Sequence, residues 1–280
     1  MIGHPIGHSL SPQMHTAALA QLARDEPRFS SWHYSRFDVP PQKLAAALGL
    51  MRSRGFLGVN LTVPHKVLAL EIVRELDAAA REAGAVNTLA GDGAAWRGYN
   101  TDGYGLAAGI REDLGIGLGG THVVLLGAGG AARGAAVECL RAGCASLWIA
   151  NRTRANLEAL VALLAPVAGS IPVMAIAHGG ASADVPSDSL LINATSAGLR
   201  ADDPAPADIR AIPGIGAVYD MIYNPPVTRL LAQARSLRLA HANGLGMLAH
   251  QGAKALEIWT GVPAARTAAI MRAAAVKALG

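Results

Sequence analysis

Apolar residues recur along this chain in short runs separated by stretches of helical periodicity, the alternation that a layered α/β protein requires. Phe56 to Val63 reads as a strand that Pro64 stops, and Lys66 to Leu76 then places Leu68, Ile72 and Leu76 at helical spacing. A second series opens with the strand His122-Val123-Val124-Leu125-Leu126, turns through glycines into a helix from Ala131 to about Ala142, and returns as the strand Leu147 to Ala150. Leu190 to Asn193 and Ala217 to Met221 are two further strands, each ending in small or polar residues. From about Leu245 to Ala278 the pattern is helical and Ala-rich, broken at Gly261-Val262-Pro263.

Glycines thicken between Gly98 and Gly120, which marks a hinge. The expectation is an α/β chain of two domains. Residues 1–102, completed by C-terminal helices over 245–280, form an N-terminal domain with a mostly parallel sheet, and residues 103–244 form the second domain.

The turn after His122–Leu126 is Gly127-Ala128-Gly129-Gly130-Ala131-Ala132, which fits G-x-G-x-x-A between a strand and a helix. In that context Gly127 serves the tight turn, Gly129 lets backbone N–H groups approach a pyrophosphate, and the helix N-terminus faces the negative charge. The second domain is therefore read as a Rossmann-type dinucleotide site. An NAD site carries Asp or Glu about 20 residues on, at the end of the next strand. Here that strand runs into Asn151-Arg152-Thr153-Arg154, with no carboxylate and with guanidinium groups suited to a 2′-phosphate, so NADP is expected.

The length of 280 residues suffices for two ordinary domains. No run of about 18 apolar residues exists to span a bilayer, and the N-terminus lacks the layout of a secretory signal. A cytoplasmic location is expected. Cys139 and Cys144 fall in one apolar, helix-like stretch and read as buried small hydrophobes, which suits a reducing compartment. The net charge of +4 is spread along the chain without basic blocks. Nucleic-acid binding is therefore not expected, whereas a small anionic substrate and a phosphate-bearing cofactor are.

His8-Ser9-Leu10-Ser11-Pro12 precedes a helical stretch. Ser11 is read either as its N-cap or, with Ser9, as a pair of hydroxyls for a carboxylate. Lys66 lies at the start of the helix after Pro64, an unfavourable end for a cation. Asp102, in Asn100-Thr101-Asp102-Gly103 at the domain boundary, would complete an acid/base couple with it in a cleft between the domains. His4, His8, His15 and His65 cluster in motif regions, but without acidic or Cys partners no metal is expected.

Taken together in order, these motifs resemble the shikimate dehydrogenase family over nearly the whole chain. The resemblance rests on Pro5 to Pro12, Asn60 to Lys66, Gly84 to Thr88, Asn100 to Gly103 and Gly127 to Ala131. It continues through Asn151 to Thr153, Asn193 to Ser196, Tyr219 to Tyr223, and Gly244 to Leu248 with Gln251. It implies reversible, NADP-dependent reduction of 3-dehydroshikimate to shikimate in aromatic amino acid biosynthesis, by a monomer or homodimer.

By the same resemblance Ser9 and Ser11 bind the substrate carboxylate, while Thr62, Asn87, Asp102, Tyr223 and Gln251 hold ring hydroxyls or neighbouring groups. Lys66 and Asp102 are the implied catalytic pair. Gly127, Ala128, Gly129, Gly130, Ala131, Asn151, Arg152 and Thr153 are the implied cofactor residues, Arg152 at the 2′-phosphate, with Met221 and Gly244 beside the nicotinamide.

Four departures from the family pattern stand out. The first strand is short or begins upstream, Asn156 replaces a second basic residue, Asn243 stands where Asp is common, and Leu10 replaces a frequent Lys. Alternatives are a quinate/shikimate dehydrogenase using NAD, which a Thr at position 11 would accompany, and a non-enzymatic NADP-binding sensor, which would need neither Lys66 nor Asp102.

Overall fold

The computed structural model describes residues 1–93, 95–177, 184–200 and 202–280. The chain divides into two compact units, Met1–Gly105 with Leu248–Gly280, and Leu106–Met247.

In the first unit the strands are β1 (Ile2–Gly3), β2 (Phe37–Asp38), β3 (Gly58–Asn60), β4 (Glu75–Leu76), β5 (Thr88–Asp92) and β6 (Ala95–Tyr99), with helices α1 (Ser11–Asp25), α2 (Leu44–Ser53), α3 (His65–Leu68) and α4 (Ala78–Ala83). Strands β1 and β2 pair in parallel, Ile2 bridges Leu61 in parallel, and β4 runs parallel to β6. Only β5 is antiparallel to its neighbours β3 and β6. The reason is local: β5 and β6 are consecutive and too closely spaced for a parallel crossover, and Gly93, at φ 54°, begins the reversal.

The strand expected over residues 56–63 is pared to β3 and the Leu61 bridge. The helix expected over 66–76 is interrupted. After α3 come a 3₁₀ turn, Ala69–Glu71, and then β4. The buried stripe is His65, Ala69 and Val73, one position away from the Leu68, Ile72, Leu76 series, and Leu76 is instead committed to pairing with Gly98.

Helix α5 (Asp102–Leu114) leads into the second unit, whose strands β7 (His122–Leu126), β8 (Ser146–Ala150), β9 (Val173–Ile176), β10 (Ser189–Asn193), β11 (Ile215–Asp220) and β12 (Ala240–Asn243) alternate with α6 (Gly130–Arg141), α7 (Arg154–Ala168) and α8 (Arg229–Ser236). The order β12-β11-β10-β7-β8-β9 is parallel throughout, the doubly wound arrangement that reverses beside the first strand of the series. Near-continuous apolar strands fit a sheet covered on both faces: Val123 and Leu125 join one core, Val124 and Leu126 the other. Cys139 and Cys144 are both buried and unbridged, although α6 ends at Arg141 and Cys144 lies in the turn beyond it.

The chain re-enters the first unit through α9 (Leu245–Thr260), followed by α10 (Ala268–Leu279), which packs on α1. Arg266, just ahead of α10, bridges to Asp25 and Glu26 at 3.1 Å each. Among the described residues no helix is long and apolar enough to cross a membrane.

Candidate active site

Lys66 is delivered by the turn from β3 into α3, and Asp102 by the turn from β6 into α5. The segment between α4 and β5 ties the two turns together. Val86 donates its N–H to the Lys66 carbonyl at 2.8 Å, and Asn87 donates its own to the Tyr99 carbonyl at 3.0 Å. Asn100 caps the start of α5 by accepting the Asp102 N–H at 3.0 Å, its amide nitrogen held by the Ala85 carbonyl.

With both backbones fixed, Lys66 Nζ donates to Asp102 Oδ2 at 2.6 Å. Asn87 Nδ2 donates to the other carboxylate oxygen at 2.8 Å. The Lys66 and Asp102 side chains keep 29% and 23% of their surface, enough for a reactant to reach an ammonium that is otherwise screened from water. Asn87 is buried and doubly committed. Its second amide hydrogen goes to Thr101 Oγ1 at 2.9 Å, and its oxygen accepts the Thr101 N–H at 2.9 Å.

Ser9 and Ser11 form the second group. Helix α1 starts at Ser11 with Leu10 in the capping position and no side-chain cap, so the N-cap role for Ser11 is not realised. Instead Ser9 Oγ accepts the Ser11 N–H and donates to Ser11 Oγ, both at 3.3 Å, which sets two hydroxyls side by side at the helix start. Leu10 between them is buried, a place that suits Leu better than Lys. Thr62 lies four positions before Lys66, with its carbonyl accepting the His65 N–H at 2.8 Å. Gln251, half-buried on α9, donates to the Leu248 carbonyl at 2.9 Å, and Tyr223 is half-buried in the second unit with its phenol raised by burial.

In the second unit Gly127 sits at φ 115°, where a Cβ would press on the Ala194 carbonyl oxygen at 3.1 Å. Gly129 and Gly130 have no neighbouring atom within 4 Å of a Cβ position, and α6 has no side-chain cap. The first-turn N–H groups thus have no side-chain cap, and the space beside Gly129 and Gly130 is open, as a helix start that takes an anion requires. Ala128 is half-buried and Ala131 exposed beside it. At the end of β8, Asn151 Nδ2 closes a turn on the Thr153 carbonyl at 2.8 Å, leaving Arg152 and Thr153 exposed. Arg154 is already engaged with Glu158 at 2.7 Å.

At the end of β11 the buried Asp220 accepts from Thr228 Oγ1 at 2.6 Å, Asn193 Nδ2 at 2.9 Å and the Ile222 N–H at 3.1 Å. This fixes Met221, whose N–H is held by Asn193 O at 3.0 Å. Gly244 lies so close to the Met221 carbonyl that a Cβ would collide with it. Asn243 supplies what the more usual Asp would, accepting the Leu245 N–H at 3.1 Å at the start of α9, while its amide holds Pro226 O at 3.0 Å.

Several of these partners carried no sequence signal of their own. Asn60, Thr88 and Thr101 lie inside the motifs, but their buried hydrogen bonds depend on pairings between segments distant in sequence, and Tyr34 lies outside every motif.

A parallel sheet of this order with a glycine cradle, on one chain with a lysine–carboxylate pair, defines the class of dehydrogenases that use a nicotinamide dinucleotide. The family model for the shikimate dehydrogenase substrate binding domain matches residues 1–89, and that for the shikimate 5′-dehydrogenase C-terminal domain matches residues 244–275. The chain is 41% identical to the shikimate dehydrogenase (NADP(+)) of Symbiobacterium thermophilum, covering 96% of this chain and 92% of that protein. The shikimate 5-dehydrogenase of Thermus thermophilus, solved in complex with NADP(H) and shikimate, superposes with a TM-score of 0.85 at 35% identity over 99% of this chain and 98% of that one. A 5-ketofructose reductase from Gluconobacter, in ligand-free form, superposes with a TM-score of 0.86 at 32% identity, covering 99% and 96% of the two chains. The chain belongs to the shikimate dehydrogenase family.

Proposed function

We propose that this protein is an NADP-dependent oxidoreductase that interconverts 3-dehydroshikimate and shikimate in the cytoplasm, in the biosynthesis of aromatic amino acids. The observation that carries the reading is the 2.6 Å Lys66–Asp102 pair, with Asn87 on the second carboxylate oxygen, in a chain of this family. The residues present suit the cofactor. Gly127 to Ala131 would hold its diphosphate, Asn151, Arg152 and Thr153 its 2′-phosphate end, and Met221 and Gly244 its nicotinamide. When bound, NADPH supplies the hydride that adds to the substrate keto carbon.

Lys66 gives a proton to the oxygen that gains charge as the carbonyl is reduced, and takes it back from the alcohol in the reverse direction. Asp102 holds the ammonium in place, and Asn87 holds Asp102. Ser9 and Ser11 donate to the substrate carboxylate, and Thr62, Tyr223 and Gln251 take ring hydroxyls. The unit Met1–Gly105 with Leu248–Gly280 is the substrate-binding part, and the parallel-sheet unit binds NADP.

An absorbance assay of nicotinamide reduction tests the reading, with shikimate, quinate and 5-ketofructose substrates in both directions as their redox state requires, each against NADP and NAD. Turnover of shikimate with NADP well above every other combination is expected. Faster turnover of another substrate, or equal use of NAD, overturns the corresponding part. Size-exclusion chromatography with light scattering is expected to return a monomer or a homodimer.

A further inference from the structure

The proposed mechanism leaves unused a set of polar side chains inside the first unit, behind Asp102. Tyr34, between α1 and β2, donates its hydroxyl to Asn60 Oδ1 at 2.7 Å. With that oxygen engaged, Asn60 Nδ2 is turned to Thr88 Oγ1 at 3.0 Å. Thr88 Oγ1 donates to Asn87 Oδ1 at 3.0 Å, and Asn87 Nδ2 donates to Asp102 Oδ1 at 2.8 Å. Asn60, Thr88 and Asn87 are all buried, so these orientations have little competition from water.

Every donor in this chain points the same way. It begins at a phenol and ends at a carboxylate, which only accepts; reversing Asn87 would set its oxygen against that carboxylate, and reversing Asn60 would set its oxygen against the Asn87 carbonyl, to which its amide nitrogen also donates at 3.3 Å. Burial pushes the Tyr34 phenol well above its usual range, so it stays a donor at any working pH. Its ring is held flat against His15, with centroids 4.0 Å apart and planes 1° apart, and Trp259 of α9 lies at 6.2 Å. His15 is itself buried, neither ring nitrogen has a hydrogen-bond partner, and burial lowers it to about 3, so it acts as a neutral slab.

We propose that Tyr34 is a positioning residue that fixes the Asp102 carboxylate through Asn60, Thr88 and Asn87. This inference rests on the dehydrogenase reading above. Aligned bonds in a water-poor interior polarise one another, so removing the first donor loosens the last one.

Tyr34→Phe deletes only the hydroxyl. It should lower kcat for shikimate oxidation roughly five- to fiftyfold, the consequence of leaving a buried acceptor unpaired. KM for NADP should stay unchanged, and the kcat–pH profile should shift relative to the parent. Thr88→Val breaks the same chain further along and should do the same, Thr88→Ser should retain parental kcat, and Tyr34→Phe with Thr88→Val should be no slower than the slower single variant. Trp96→Phe is the structural control. It loses a 3.0 Å bond to the Leu48 carbonyl in the same unit and should lower the melting temperature without moving kcat or the pH profile.

If Tyr34→Phe does not fold, the Thr88→Val and Thr88→Ser comparison decides. Variants that melt earlier but keep the parental kcat and pH profile overturn the inference alone. Absence of any shikimate turnover in the unsubstituted protein overturns the functional reading and this inference with it.

Discussion

Lys66 donates to Asp102 at 2.6 Å across 36 positions of sequence, and both side chains are mostly withdrawn from water. A pair so placed keeps the ammonium oriented while leaving it hydrogens for a reactant oxygen, since an ammonium has three donors and Asp102 uses one.

Lys66→Met keeps the length of the side chain and removes its protons. Positioned proton transfer is typically worth 10²–10⁴-fold, or about 3–5 kcal/mol, so kcat should fall by roughly that factor. NADPH affinity, measured by fluorescence titration, should stay near the parental value. A variant with parental kcat across the pH range would reject Lys66 as the acid/base.

Arg152 is exposed at the end of β8, while Arg154 is occupied by Glu158. Loss of a charged phosphate contact costs about 1.5–3 kcal/mol, so Arg152→Ala should weaken NADP about ten- to hundredfold and leave NAD nearly unchanged. Arg154→Ala should have the smaller effect. Calorimetric titration of all four combinations distinguishes this from a general loss of cofactor binding, in which both cofactors would weaken alike.

A methyl group at Gly244 would be driven into the Met221 backbone. Overpacking of this kind typically costs about 1–3 kcal/mol, so Gly244→Ala should melt several degrees lower and raise KM for NADP, because Met221 must shift. An unchanged melting temperature would show that the backbone yields freely at this point.

Asp220 gives a pH signature. Burial raises its carboxyl above the ordinary value, against the opposing hydrogen bonds from Thr228, Ile222 and Asn193. A carboxyl raised on folding binds more protons in the folded state between its unfolded and folded pKa, so its contribution to stability falls as pH rises through that window, which opens near 3.9. Asp220→Asn keeps an acceptor for Asn193 and Ile222 and cannot titrate. Its stability relative to the parent, from urea unfolding, should therefore improve as pH rises from about 4 to neutrality. A relative stability that is flat or declines over that range would contradict the assignment.

The inner strands β7, β8, β10 and β11 were legible because they are mostly apolar runs between glycine-rich or polar turns, and His122–Leu126, the glycine turn and α6 stand where the pattern places them, whereas the edge strands β9 and β12 were not read, the latter because Ala-His-Ala-Asn is short and polar. The first unit was harder to read. Strands β1, β2 and β4 are two residues long, too short to show a period of two, and the buried stripe after Lys66 is displaced by one position because Leu76 is drawn into a strand. For the Lys66–Asp102 pair, residue identities were readable and partners partly so. Asp102 beside Lys66 was anticipated, whereas the clasp by Asn87 depends on which way an amide faces, and that is decided by Thr88 and Thr101 in three dimensions.

The packing of α10 on α1 joins segments that flank the parallel-sheet unit in sequence, while that unit is one uninterrupted stretch. On a ribosome, where chains emerge in order at about 5–20 residues per second, the sheet unit is complete before the helix that seals its neighbour has been made. Lys66 and Asp102 are thus translated early, but the unit that houses them closes only once α9 and α10 have emerged, so the nascent chain is exposed longest around that pair.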